Sequence, residues 1–177
     1  MQNSARRQSA TSKRKGASTA NKDAIALLKS DHRQVEEWFE QFENAKSDDK
    51  KAKLAEQICE ALRVHTTIEE EIFYPAFLEM VGDEDIHHEA EIEHEAAKNL
   101  IAQIETSSPK DDYFDAKVKV LSEMIKHHVK EEEQADGMFA KARKSDMDLA
   151  EVGQQLQQRK SELESAAAAK PPKRRVN

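Results

Sequence analysis

A chain of 177 residues holds one ordinary domain plus tails. With 36% charged, 37% apolar and 5% aromatic residues and only 4 Gly and 4 Pro, the composition favours helices and argues against all-β or doubly wound α/β architectures. Nine of the 28 basic residues sit at the two ends, so between residues 21 and 169 the remaining 19 face all 35 acids, a balance of −16 inside a chain of net charge −7.

In chain order, residues 1–20 carry Arg6, Arg7, Lys13, Arg14 and Lys15 without apolar periodicity and read as a disordered basic tail. They lack the apolar stretch of a secretory signal, and no run of about 18 apolar residues exists for a membrane span. Asn21 can cap a first helix over 22–45, and Ser47 followed by Asp48 and Asp49 opens a second over 48–80, with Pro75 set to kink or shorten it. Gly82 offers a stop before a third helix over 84–106. Ser108 and Pro109 fit the cap and first position of a fourth over 109–143. Four helices with short connections predict an up-down-up-down bundle over residues 21–145. Ser145 or Asp146 then caps a short C-terminal helix over 146–168, whose Leu149, Val152, Leu156 and Leu163 form a stripe for docking. Residues 169–177, with Pro171-Pro172 and KRR, make a second disordered basic tail. The lone Cys59 reads as a packed thiol in a reducing, cytoplasmic setting.

The buried stripes contain unexpected residues. The first reads Ile25, Leu28, His32, Val35, Phe39, Phe42 and the second Leu54, Ile58, Ala61, His65, Glu69, Ile72, Ala76. The third reads Ala90, His94, Ala97, Ile101, Ile104 and the fourth Val118, Leu121, Ile125, His128, Glu132, Ala135, Phe139. One histidine in a core is ordinarily a hydrogen-bonded structural residue. Six titratable groups are different, because an uncompensated buried carboxylate costs several kcal/mol against a net stability of about 5–15 kcal/mol. A shared cation removes that cost. His65 with Glu69, and His128 with Glu132, are i, i+4 pairs that project together. His32 precedes His65 by 33 residues and His94 precedes His128 by 34, the mark of a duplicated helical hairpin. Two half-sites imply two ions, with each Glu able to bridge and open positions left for a small ligand.

The segments DHRQVEEWFE, HTTIEEEIFYPAF, EIEHEAAKNLIAQI and HHVKEEEQADGMF resemble the hemerythrin-like HHE cation-binding domain family over about residues 23–143. The resemblance implies a four-helix bundle around a non-haem di-iron centre, oxo- or hydroxo-bridged, with His32, His65, Glu69, His94, His128 and Glu132 as ligands. Manganese or zinc could occupy the same set. Invertebrate hemerythrins have HxxxH on the third helix, where Ala90 stands here, and HxxxxD on the fourth, where this chain has HxxxE, so reversible oxygen carriage does not follow. His87, Glu91 or Glu70 could add a ligand, whereas His127 points about 100° from His128 and reads as a surface residue. The ferritin-like alternative needs Glu-x-x-His on two helices and finds it only at Glu91 to His94. A pocket lined by Ile68, Phe73, Leu100 and Phe139 would exclude water.

Binding or sensing of oxygen or nitric oxide is the favoured function, ahead of an enzyme. A di-iron enzyme or iron donor in peroxide turnover or iron-sulfur cluster repair is the first alternative, and a metal-free helical interaction protein the second. Trp38, Tyr74 and Met124 read as packing residues ahead of cofactor contacts, with Tyr74 near enough in sequence to Glu69 and Glu70 to support the ligands as the alternative. The acidic body opposes nucleic acid, leaving only the tails for such contacts.

Overall fold

A computed structural model describes residues 23–169. The N-terminal basic tail, Asn21 and residues 170–177 lie outside the described residues. Seven α-helices follow in order, and no strand occurs among the described residues: α1 (Ala24–Glu43), α2 (Asp48–Ile68), α3 (Tyr74–Val81), α4 (Glu84–Glu105), α5 (Phe114–Glu133), α6 (Met138–Lys144) and α7 (Leu149–Ala168). A π-helical turn, Glu69–Phe73, joins α2 to α3. The protein is therefore all-α. Helices α1, α2, α4 and α5 form the bundle, with α1 against α2, α2 against α4, α4 against α5 and α5 against α1.

Local chemistry sets the ends. Asp23 caps α1 by accepting from the Ala26 amide at 2.8 Å, Ser47 caps α2, and Asp83 caps α4. Gly82 takes φ +70° after α3, a left-handed stop that suits a residue without Cβ. Two expected caps move. Ser108 and Pro109 lie in a turn closed by Asp111, whose carboxylate accepts from the Ser108 amide at 2.7 Å, so α5 begins only at Phe114. At the last helix Asp148, rather than Ser145 or Asp146, accepts from the Ala150 and Glu151 amides.

The register changes in two places. An i→i+5 turn inserts one extra residue, so after Glu69 the inward positions become Phe73 and Phe77 in place of Ile72 and Ala76. The expected fourth helix also divides. After Glu133 the chain turns through Gly137, where a Cβ would stand 2.1 Å from the Glu131 carbonyl oxygen and 2.8 Å from that of Glu132. Ala135 is exposed as a result, and Phe139 reaches the core from α6.

The core is two apolar clusters with a polar layer between them. One gathers Val35, Phe39, Ile58, Leu62, Ile101 and Leu121 with the buried Cys59 and the half-buried Trp38 and Leu100. The other gathers Leu28, Ile68, Phe73, Phe77, Phe139 and Leu156. Leu100 therefore packs apart from Ile68, Phe73 and Phe139. Each fully buried aliphatic or Phe side chain contributes about 1.5–3 kcal/mol relative to exposure. These clusters hold the bundle so that the layer between them can be polar. Helix α7 docks on α1, α2 and the π turn through Val152 and Leu156.

Candidate metal centre

The residues between the two clusters are His32 on α1, His65 on α2, Glu69 on the π turn, His94 on α4, and His128 and Glu132 on α5, all buried. Leu28 and Val35 flank His32 from opposite clusters, as Leu62 and Ile68 flank His65 and Ala90 and Ala97 flank His94. All six residues singled out in the sequence thus converge. Nε2 of His32 lies 3.0 Å from Nε2 of His65, and Nε2 of His94 lies 3.2 Å from Nε2 of His128. Glu69 Oε2 stands 3.2 Å from His65 Nε2 and 3.4 Å from His94 Nε2. Glu132 places Oε2 at 3.4 Å from His32 and Oε1 at 3.6 Å from His128. Each carboxylate therefore reaches across from one histidine pair to the other.

The outer nitrogens explain why the inner ones face each other. Nδ1 of His32 donates to Glu133 at 2.8 Å, Nδ1 of His94 to Glu70 at 2.9 Å and Nδ1 of His128 to Glu93 at 2.8 Å. The fourth outer acid, Asp31, stands 3.7 Å from Nδ1 of His65, beyond hydrogen-bond reach. Lys98 ion-pairs with Glu70, Lys29 and Arg33 with Glu133, and Lys160 of α7 with Asp31. Sequence neighbours of the inner residues thus orient histidines on other helices, as partners of metal-binding histidines do.

Electrostatics point the same way. Burial pushes Glu69 up to about 7 and, with the nearby Glu69 charge adding to it, pushes Glu132 up to about 8. Burial lowers His32 to about 3 despite Glu133, which is itself held down to about 2 because hydrogen bonds from His32 and Lys29 outweigh its own partial burial. The hydrogen bond from His94, with the hydrogen bond and charge of Lys98, holds Glu70 below the usual carboxylate range despite its partial burial. Burial and the two inner carboxylates raise Tyr74 well above an ordinary phenol. Its hydroxyl lies 3.1 Å from His94 Nε2 and donates to Glu132 Oε1 at 3.4 Å. Nearness in sequence to Glu69 and Glu70 offered Tyr74 as a supporting neighbour, and the π turn is what rotates its side chain inward.

These groups fit a pair of cations. With Nδ1 of His94 and of His128 both donating to ionised acids, both Nε2 atoms are turned inward and stand 3.2 Å apart. Both oxygens of Glu69 and Oε2 of Glu132 are buried without a hydrogen-bond partner. Donors about 2.1 Å from one ion and at right angles to each other stand about 3 Å apart, the spacing seen within each histidine pair. Ligand atoms of His32, His65, Glu69 and Glu132 lie within 4.8 Å of one another, as do those of Glu69, His94 and His128. None of the three suggested additional ligands joins these groups. Glu70 supports His94, His87 packs edge-on to Tyr74 with ring centroids 5.7 Å apart, and Glu91 is an exposed side chain 3.6 Å from His87.

A helical bundle with a histidine and carboxylate layer in its core defines a class of cation-binding proteins. The profile of the Hemerythrin HHE cation binding domain matches residues 23–142, and the chain belongs to that family. A protein named DNA nickase from Nostoc sp. strain PCC 7120 is 29% identical over 107 residues, 60% of this chain and 30% of that protein. An uncharacterised hemerythrin-like protein from Schizosaccharomyces pombe is 25% identical over 111 residues, 62% of this chain and 55% of that one. The chain therefore spans about a third to a half of the length of these relatives. The crystal structure of a hemerythrin HHE cation binding domain-containing protein from Mycobacterium kansasii shares the fold, with a TM-score of 0.67 and 16% identity over 86% of this chain and 94% of that one. No helix among the described residues is long and apolar enough to cross a membrane.

Proposed function

We propose that the protein is a non-haem di-iron protein that binds or senses a small diatomic ligand, oxygen or nitric oxide. His32 and His65 would hold one iron, His94 and His128 the other, and Glu69 and Glu132 would serve both. The carrying observation is the pair of facing Nε2 atoms of His94 and His128, each turned inward by an ionised acid on its Nδ1. Mixed imidazole and carboxylate ligation without thiolate suits iron, and six protein ligands leave positions open on two six-coordinate ions. Such a pair supplies redox-active electron density for a bound diatomic.

The chain's own residues define what can reach it. Phe73 and Phe139 pack edge to face beside the layer, and His32 stacks on Phe139 with centroids 5.8 Å apart, so that side is walled by aromatic rings. Tyr74 presents a hydroxyl between His94 and Glu132, where its proton can be shared with a polar ligand. An apolar wall with one hydroxyl donor beside it favours small weakly polar molecules over substrates that need several hydrogen bonds. The test is anaerobic loading with ferrous iron followed by absorption spectroscopy on exposure to oxygen or nitric oxide. A charge-transfer band that appears with either gas supports the reading; a spectrum indifferent to both, with steady peroxide turnover or iron passed to an apo acceptor, would replace it.

A further inference from the structure

Among the outer nitrogens of the layer's four histidines, Nδ1 of His65 alone is buried without a hydrogen-bond partner. The position of the ring's proton explains it. His32 is held neutral and its Nδ1 donates to Glu133, so its Nε2 bears a lone pair. Nε2 of His65 stands 3.0 Å from that lone pair and 3.2 Å from Glu69 Oε2. Two acceptors before one nitrogen put the His65 proton on Nε2 and leave a lone pair on Nδ1. A lone pair repels a carboxylate. Asp31 Oδ2 accordingly stands off at 3.7 Å, while Oδ1 pairs with Lys160 of α7.

Side-chain length makes this an exclusive choice. Glu70 bridges Nδ1 of His94 and Lys98, and Glu133 bridges Nδ1 of His32 and Lys29. Asp31, one methylene shorter, reaches Lys160 and stops short of His65. Lys160 in turn is one of two charged groups that fasten the outer half of α7. The other is Arg159, which donates from Nε and Nη2 to the two oxygens of Glu71 at 2.7 and 3.2 Å, with Leu163 half-buried nearby on the same helix. Val152 and Leu156 anchor the inner half, whereas no described residue of α7 beyond Leu156 is fully buried. Partly exposed ion pairs stabilise little, so the outer half opens at low cost.

We propose that the outer half of α7 is a strap whose closure depends on whether the His32–His65 half holds its ion. When Nε2 of His65 coordinates, the ring keeps its one proton but carries it on Nδ1, and a buried Nδ1–H needs an acceptor. Asp31 is the one acid beside that nitrogen among the described residues, and turning to His65 costs it Lys160. Loading therefore loosens residues 157–164, and by linkage a closed strap weakens that half by the same factor. The strap's trigger rests on the di-metal reading above.

Amide hydrogen exchange of the full chain, metal-free and loaded with Co²⁺, tests this, with uptake of Co²⁺ followed separately by visible absorption. In the wild-type chain, residues 157–164 exchange about tenfold faster after loading, while residues 149–156 and the bundle helices exchange no faster. In D31E the longer side chain spans His65 and Lys160 together, and loading no longer speeds the segment. In K160M the segment exchanges fast with or without metal. Uptake of Co²⁺ with exchange over 157–164 unchanged or slowed overturns the strap and leaves the buried centre standing. Faster exchange on loading that persists in D31E overturns the switching role of Asp31. A wild-type chain that takes up no Co²⁺ overturns the buried centre and the coupling with it.

Discussion

The two helical hairpins carry the same circuit but anchor it differently. In the α4–α5 hairpin, His94 and His128 are both clamped by short hydrogen bonds to Glu70 and Glu93, and Tyr74 lies against His94. In the α1–α2 hairpin His32 is clamped by Glu133, but Asp31 is drawn toward Lys160 and stands off His65. The inner residues repeat at matching spacings in the two hairpins, while the π turn and α7 set the difference: the π turn rotates Tyr74 toward one half, and α7 carries Lys160 to the other. The α4–α5 half should bind its ion more tightly, because an imidazole with an anionic partner is better oriented and more basic.

The largest effect should come from removing what the halves share. E69A deletes a carboxylate addressed to both, and the expected result is at least a 100-fold loss of affinity in each half, about 2.7 kcal/mol, read by metal titration. Next is pH. A carboxyl group whose folded pKa is raised keeps its proton when folded, so the metal-free chain binds more protons folded than unfolded and loses stability as pH rises through that window. With Glu69 near 7 and Glu132 near 8, stability of the metal-free protein should fall by roughly 1–3 kcal/mol between pH 6.5 and 8, and the loaded protein should show no such fall. His32 works in the opposite sense but only below its ordinary value of 6.5, outside this window. Thermal melts of both forms across that range measure it.

Much of this arrangement was legible in the sequence. Stripe periodicity placed all six inner residues because α1, α2, α4 and α5 are regular helices over those positions, and the two i, i+4 pairs survive even though a π turn begins at Glu69. The stripe failed just beyond, at Ile72, Ala76 and Ala135, where an inserted residue and the Gly137 turn break the 3.6-residue period that the inference depends on. The outer acids were hidden for another reason. Asp31, Glu93 and Glu133 lie beside inner residues in sequence, but each addresses a histidine on another helix, and only the packed bundle supplies that pairing.

Two smaller effects sharpen the contrast between hairpins. E70Q should weaken the α4–α5 half by about 10- to 100-fold, whereas D31N should change the other half by less than tenfold, because only Glu70 is hydrogen-bonded to its histidine. K160A should release Asp31 toward His65 and tighten the α1–α2 half by a few-fold, narrowing the difference. Sequential occupancy followed by calorimetry distinguishes these outcomes, and equal losses from E70Q and D31N would show the halves to be equivalent.

The most direct test is a crystal of the full chain grown anaerobically with ferrous iron, with anomalous scattering recorded at the iron edge. Two peaks in the buried layer are expected, one beside His32 and His65 and the other beside His94 and His128, with Glu69 and Glu132 touching both. A single peak, or a layer without iron in which the histidines keep hydrogen-bonding one another, would contradict the account.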